Sequence, residues 1–428
     1  MRFQRPRGTY DRTPEVSPLW RQLRLLFDRL AVQFAYAEVD PPIFEHTELF
    51  TRAVGEATDV VSKEMYTFPD RKGRSLSLRP EATAGVVRLV LENNLLAAGG
   101  LLRLAYWGPM FRYDRPQAGR FRQFVQLGIE AFGSASPAMD AEVIELFVGL
   151  LREVGLAELR VDLGSVGDAC CRPAYEDSLR GFLAGVADGL CPTCRERREA
   201  NPLRVFDCKE PGCQAVLREA PRIMDQLCAD CRAHRDRLET LLGERGVPFR
   251  RDRDVVRGLD YYTRTVFEVH YPALGAQSAL GGGGRYDRLV DACGGPPTPA
   301  VGFSSGVERL VWAIGNEKTL GKAELSARGA YLVLLSSAAE APAARIAARL
   351  RESIPAEVDY SGRGLKAQLK SANQRGARFA ILLGEEELAA HAVAVKDLDS
   401  GEQKVLPEEN LLELIQAWSA GMPPAPRP

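Results

Sequence analysis

Apolar residues recur at helical spacing from Leu19 to Phe34, interleaved with Arg21, Arg24 and Arg29, which predicts an amphipathic helix. The segment AEVDPPIFEHTELF predicts a strand interrupted by Pro41 and Pro42 and then a helix start. Residues 64–132 read as strands and turns broken by one helix, PEATAGVVRLVLENN. Within LRLAYWGPMFRYDRPQAGRFRQFVQLGIEAFG, two apolar, aromatic runs flank a loop built from Asp114, Pro116, Gln117 and Gly119. That pattern predicts an antiparallel pair with a long polar connection. Residues 170–250 carry helical segments such as QAVLREAPRIMDQL. Strand patterns return at YYTRTVFEVHY, and AVGFSSGVERLVWAI reads strand-to-helix. From about residue 328, YLVLLS, AEVDYS and RFAILLG alternate with the helical stretches AAEAPAARIAARLRES and LKAQLKSANQRG. This predicts a small α/β domain with a largely parallel sheet.

A chain of 428 residues exceeds what one core organises. The pattern divides it into a core of residues 1–169 and 251–322, a helical, Cys-rich insertion at 170–250 and an α/β domain at 328–420. The segment NEKTLGKAELSARG reads as the linker, and residues 421–428 as a disordered tail. The hydrophobic fraction of 45% and charged fraction of 26% are those of an ordinary globular protein. The polar N-terminus has no secretory pattern and no run is apolar enough to span a bilayer, so a cytoplasmic chain is expected, with no membrane. A net charge of −1 confines any nucleic-acid binding to local basic patches. Nine cysteines with two CxxC pairs point to free thiols or a metal before disulfides.

Candidate chemistry sits in three places. Gly281, Gly282, Gly283 and Gly284 fit neither a dinucleotide fingerprint nor a P-loop. They read either as a bulge or tight bend, or as backbone left bare for a ligand. Arg112 and Arg122 lie in apolar, strand-like flanks of the hairpin loop, where an unpaired guanidinium is costly. Arg257 and Arg309 raise the same issue in their segments, and a bound phosphate or carboxylate would supply the missing partner. Finally, Cys191-x-x-Cys194 and Cys228-x-x-Cys231, with Cys208 and Cys213 between, have the spacing of zinc ligands. Buried thiols are the competing reading, and Cys170, Cys171 and Cys293 read as core residues. His46, His234, His270 and His391 show no ligand or triad arrangement.

These segments resemble a known family. FRYDRPQAGRFRQF resembles motif 2 of class II aminoacyl-tRNA synthetases, AVGFSSGVERL resembles motif 3, and DPPIFE supplies the motif 1 proline at Pro42. RGLDYYT and GGGGRYD resemble the two peptides that separate histidyl-tRNA synthetases from other class II enzymes. RGTYD, LRPEAT, NPLRVFDCK and VDYSGRGLKAQLKSANQRGARFAILLGEEE are similar to that family too, so the resemblance spans essentially the whole chain. It implies an α+β catalytic core on a six-stranded antiparallel sheet, an insertion, a C-terminal α/β anticodon-binding domain, and a homodimer joined through motif 1. Zinc is not general in the family, so a structural zinc at Cys191, Cys194, Cys228 and Cys231 is the less favoured expectation.

The implied reaction activates L-histidine with ATP and Mg²⁺ as histidyl-adenylate, then transfers it to tRNA(His). By resemblance, Arg112 meets the α-phosphate and the substrate carboxylate, Arg120 and Arg309 meet the outer phosphates, and Arg257 stabilises charge developing at the α-phosphorus. Glu130 and Tyr262 match positions that contact the imidazole; Glu81, Thr83, Gln126 and Tyr261 match those around the α-amino group. Arg115 and Gln117 would approach the acceptor end of tRNA. The chain departs from the family pattern at Ala82, at Val125 and in the wording of motif 3, none of which removes an assigned residue. Val125 should face away from Phe124 and Gln126 and be structural. An alternative is the synthetase-like regulatory subunit of ATP phosphoribosyltransferase, but such paralogues lack the anticodon domain and have degraded motifs.

Overall fold

Alternation along one segment, Gln123–Phe132, decides what each face of the central sheet becomes. Successive side chains of a strand point to opposite faces. Leu127, Ile129 and Ala131 enter the largest core cluster, with Val125 packed against it. On the other face Phe124 and Phe132 join a second cluster, and the polar Gln126 and Glu130 stand between them. The computed structural model describes residues 3–56, 58–116, 119–200, 202–255, 259–317 and 328–420. Arg257, Gln117 and the 421–428 tail lie outside the described residues.

The chain forms two compact units, Met1–Leu320 and Gly321–Pro428. The strands of the first are β1 (Ala37–Glu38), β2 (Phe44–His46), β3 (Thr67–Pro69), β4 (Ser75–Leu78), β5 (Leu102–Phe111), β6 (Gln123–Phe132), β7 (Arg160–Ser165), β8 (Phe249–Arg251), β9 (Thr263–His270), β10 (Ala279–Arg285) and β11 (Ala300–Gly306). Its helices are α1 (Ser17–Gln33), α2 (Thr47–Val54), α3 (Thr83–Glu92), α4 (Pro137–Glu153), α5 (Arg172–Gly185), α6 (Pro192–Ala200), α7 (Pro211–Leu217), α8 (Ala229–Glu244), α9 (Leu289–Ala292) and α10 (Val307–Glu317). Eight strands make the main sheet in the order β1-β5-β6-β11-β10-β9-β7-β8, and β2-β4-β3 form a small separate sheet. The six central strands are antiparallel throughout. The expected six-stranded sheet gains one short parallel strand at each edge, β1, which is what remains of the strand predicted before Pro41, and β8, too brief to register as a strand pattern.

Helix α1 shows how the main core is closed. Pro18 occupies its first turn, where the missing N–H costs nothing. Trp20, Leu23, Phe27, Leu30 and Ala31 make the buried stripe that the spacing predicted, and Ala35 with φ 61° turns the chain out of the helix. Removing Phe27 would cost roughly 3–5 kcal/mol. Between β7 and β8, helices α5 to α8 wrap a smaller cluster in which Cys171, Cys194, Cys213 and Cys231 are buried among leucines.

In the second unit, strands β12 (Ala330–Leu334), β13 (Ala356–Val358), β14 (Phe379–Leu383), β15 (Ala392–Asp397) and β16 (Gln403–Pro407) join helices α11 (Glu340–Arg351), α12 (Leu365–Gln374), α13 (Glu385–Ala389) and α14 (Leu411–Ala420). Ala330 and Leu332 face one cluster while Tyr331 and Val333 face another, so helices cover both faces. The sheet order is β13-β12-β14-β15-β16. Only the first three strands are parallel, which corrects the largely parallel expectation. The β15–β16 hairpin closes where Gly401 (φ 78°) and the Asp397 carboxylate complete a tight turn. No described helix is long and apolar enough to cross a membrane.

Candidate active site

A cavity of about 480 Å³ opens on the polar face of the main sheet. Its wall brings together Glu81, Arg112, Arg120, Gln126, Tyr261, Tyr262, Gly281 and Arg309 from segments far apart in the chain.

One end is cationic. Arg112 lies just past β5, where its Nε donates to Pro80 O at 2.8 Å and its guanidinium stands 5.5 Å over the Phe124 ring. Its two terminal nitrogens make no hydrogen bond to a described residue. Arg120 Nη1 reaches Asp114 Oδ2 at 3.3 Å across the hairpin loop. Arg309, in the first turn of α10, donates to Ala279 O on β10. Burial lowers the Arg309 pKa and the nearby Arg120 charge lowers it further. Two guanidiniums that repel each other at a cavity wall form a place for an anion, whose charge relieves both.

The other end holds carboxylates beneath the surface. Glu81 caps α3: its carboxylate accepts from Thr83 N at 2.7 Å and Ala84 N at 2.9 Å, two donors that the helix start leaves free. Burial nevertheless raises its pKa above the usual range. Glu130, on β6, accepts from Thr83 Oγ1 at 2.7 Å and from Tyr286 OH. Burial pushes Glu130 up to about 8, against the lowering effect of those two hydrogen bonds. Gln126 Oε1 is buried at this wall with no hydrogen-bond partner among the described residues. A buried acceptor in a polar recess needs a donor, and a ligand ammonium or ring N–H supplies one. Tyr261 and Tyr262 pack against each other at 4.7 Å between centroids, and Tyr261 meets Tyr286 edge-on at 5.6 Å.

The remaining expectations divide. Thr83 and Glu130 sit just behind the wall, while Arg115 is exposed on the hairpin loop, away from the cavity lining. Gly281, Gly282, Gly283 and Gly284 lie within β10, between β9 and β11, with register shifts at both ends of the run. A Cβ on Gly283 would stand 2.0 Å from Gly302 O, so strand-to-strand approach accounts for it, and Gly281 alone of the four lines the cavity. Ala82 is buried in the second core cluster, not on the wall.

Several contributors carry no sequence signal strong enough to find them. Glu308, beside Arg309, accepts from Tyr10 OH at 2.6 Å and from Val125 N at 2.8 Å, tying the N-terminal segment to β6. Gly302 pairs with Glu130 across the strands, and a Cβ there would lie 1.9 Å from Glu130 Oε2. Arg204 of the insertion and Glu268 of β9 also line the cavity.

Beneath the site, Asp140 of α4 is a fully buried junction. Its carboxylate pairs with Arg285, which has no exposed side-chain surface, and accepts from Thr265 Oγ1 and His234 Nε2, each at 2.7 Å. Burial would raise its pKa, but the His234 hydrogen bond and Arg285 hold it below the usual carboxylate value. Thus the RYD part of the glycine-rich peptide is anchored by packing and charge, and His234 carries the insertion into that anchor.

Comparison with known proteins gives the family. The family model described as histidyl-tRNA synthetase matches residues 8–310, and one described as an anticodon binding domain matches residues 330–418. A histidine–tRNA ligase of Moorella thermoacetica is 49% identical over 411 residues, covering 95% of this chain and 96% of its own length. The chain belongs to the histidyl-tRNA synthetase family. A histidine–tRNA ligase of Halothermothrix orenii is 45% identical, with 97% of this chain and 99% of the relative covered. The crystal structure of apo S. aureus histidyl-tRNA synthetase superposes with a TM-score of 0.81 at 34% identity, covering 96% of this chain and 99% of that one.

Within this histidyl-tRNA synthetase family member the cysteine grouping expected from spacing is corrected. Cys191, Cys194, Cys228 and Cys231 do not converge. Cys191 and Cys194 join Cys208 and Cys213, whereas Cys228 and Cys231 join Cys171 and Asp168. The first CxxC turn meets Cys208 and Cys213, which follow it closely, whereas the second meets Asp168 and Cys171 from about 60 residues earlier, a pairing that spacing alone could not distinguish.

Proposed function

We propose that this chain activates L-histidine with ATP as histidyl-adenylate and transfers the histidyl group to tRNA(His). The observation that carries the reading is the division of one cavity into a guanidinium end, Arg112, Arg120 and Arg309, and a recess of buried carboxylates with the unpartnered Gln126 Oε1. The full-length ligase relatives favour this reading over the regulatory-subunit alternative.

The histidine carboxylate attacks the α-phosphorus of ATP and pyrophosphate leaves. The nucleophile is already ionised, so no side-chain base is required and the protein mainly positions and neutralises anions. Arg112 spans the substrate carboxylate and the α-phosphate, Arg120 and Arg309 take the outer phosphates, and Arg257 meets charge developing at the α-phosphorus. Glu130 accepts the ring N–H and Tyr262 faces the other ring nitrogen. Glu81, Thr83, Gln126 and Tyr261 surround the ammonium. A site of such hydrogen bonds rejects analogues by roughly 10⁴–10⁵-fold, because their absence strands buried polar groups. Mg²⁺ bound with the nucleotide would neutralise phosphate charge, with Glu268, whose charge is felt by Arg309, as the nearby protein oxygen donor.

Arg115 and Gln117 serve the acceptor end of tRNA, and the second unit reads the anticodon. The glycines of β10 leave the strand flat enough for the substrate to lie against it at Gly281. Residues 1–169 and 251–322 act as the catalytic core, 170–250 as the insertion and 328–420 as the anticodon-binding domain. A homodimer through motif 1 is supported by the exposure of Pro42, Ile43 and Phe44 beside the small sheet. The reaction places the chain in the cytoplasm, where free cysteines persist. Histidine-dependent ATP–pyrophosphate exchange followed by tRNA charging tests the assignment; absence of exchange from folded protein rejects it.

A further inference from the structure

Eight of the nine cysteines lie in the insertion, and seven of these fall into two clusters. In the first, the sulfurs of Cys191, Cys194, Cys208 and Cys213 all stand within 4.8 Å of one another, with Cys191 and Cys208 3.9 Å apart. Four thiolates around one zinc at about 2.3 Å would place their sulfurs ~3.8 Å from each other. The backbone is arranged for anionic sulfur: Cys194 N donates to Cys191 Sγ at 3.4 Å and Cys191 N to Cys213 Sγ at 3.1 Å. Such donors orient metal-bound thiolates and spread their charge.

The second cluster rests on different contacts. Cys171 and Cys231 sulfurs are 3.8 Å apart, and Asp168 Oδ1 lies 3.9 Å from Cys171 Sγ and 4.0 Å from Cys228 Sγ. The other Asp168 oxygen is held by Arg264 of β9 at 3.1 Å, and Cys170 N donates to Oδ1 at 2.9 Å. A carboxylate gripped on one oxygen and turned toward three thiols on the other is a ligand with its orienting partner in place.

We propose that the insertion binds two Zn²⁺ ions, one at Cys191, Cys194, Cys208 and Cys213 and one at Asp168, Cys171, Cys228 and Cys231. The four thiols Cys171, Cys194, Cys213 and Cys231 lie inside the insertion's own apolar cluster, so ions held there would bridge segments that this cluster packs together. The first ion ties both ends of the stretch carrying Arg197 and Arg204; Arg197 pairs with Asp59 at 2.9 Å, and Arg204 lines the cavity. The second joins the starts of α5 and α8 to the loop after β7, and through Arg264 to the strand that follows Tyr262. The assignment is independent of the substrate.

The test is metal analysis and native mass spectrometry of the full chain, purified without chelator or refilled with Zn²⁺ under reducing conditions. Two zinc ions per chain are expected, falling to one in Cys208→Ser and to one in Cys228→Ser, with Cys293→Ser retaining both. Should either variant fail to fold, Co²⁺ titration of the unaltered metal-free chain distinguishes a four-thiolate from a three-thiolate tetrahedral site by their visible spectra. The cluster thiols should also resist a thiol reagent until zinc is released. Fewer than two equivalents, iron in place of zinc, disulfides within the clusters, or prompt reaction of every thiol without metal release would each overturn the proposal.

Discussion

The two ends of the cavity solve opposite electrostatic problems. At the cationic end, Arg112, Arg120 and Arg309 line the cavity, and burial with like-charge repulsion lowers the Arg309 pKa. At the other end, Glu81 and Glu130 are buried, and their charge is disfavoured despite several hydrogen bonds. On the proposed reading, the first end is completed by an anion and the second by a ligand that brings N–H donors. The contrast teaches that burial works against charge of either sign, so each end gains from a ligand of complementary character.

The largest effect is expected at Arg257. Arg257→Ala should slow histidine-dependent exchange roughly 10²–10³-fold while weakening ATP binding far less. Equal losses in both, measured by single-turnover rates and nucleotide titration, would show that Arg257 serves ground-state binding instead. Next comes Glu130. Glu130→Gln should raise KM for histidine about 10–100-fold and leave ATP affinity within a few-fold, because the amide cannot be ionised and sets an NH2 donor where one of the two carboxylate oxygens stood. A matching loss of ATP affinity would break the division between the ends. The same variant tests a pH effect. Glu130 binds its proton up to about pH 8 in the folded chain but only to about 4.5 when unfolded. The folded state therefore holds the extra proton, and its stability without ligand should decline as pH rises between those values. Urea unfolding across that window should show a shallower decline in Glu130→Gln. Arg309→Ala should raise KM for ATP about tenfold without altering KM for histidine. The smallest effect is expected at Arg115, which is exposed: Arg115→Ala should slow tRNA charging a few-fold and leave pyrophosphate exchange unchanged.

What was legible in the sequence follows the range of the physics involved. The β5–β6 hairpin and α1 depend on local periodicity, and each appears where the pattern placed it. Val125 faces the core side of β6 as alternation requires. The edge strand β8 is three residues long and pairs with β7 alone, and the strand patterns of the second unit include neither β15 nor β16. Tyr286 and Gly302 matter through Glu130, a partner 156 residues from Tyr286, which no local pattern encodes. The cysteine spacing correctly marked sulfur-rich turns, but the partners of the second turn, Asp168 and Cys171, come from where the insertion begins, a contact that no local pattern encodes.

Asp140 also bears on how such a chain could be shortened. Excising residues 170–250 would remove His234 from the carboxylate while Arg285 and Thr265 stay behind. A trimmed descendant would inherit an empty hydrogen-bonding position inside the densest part of the molecule. Loss of the insertion therefore has to be accompanied by a compensating substitution near α4, and minimal versions built without one should express poorly even with every substrate contact retained.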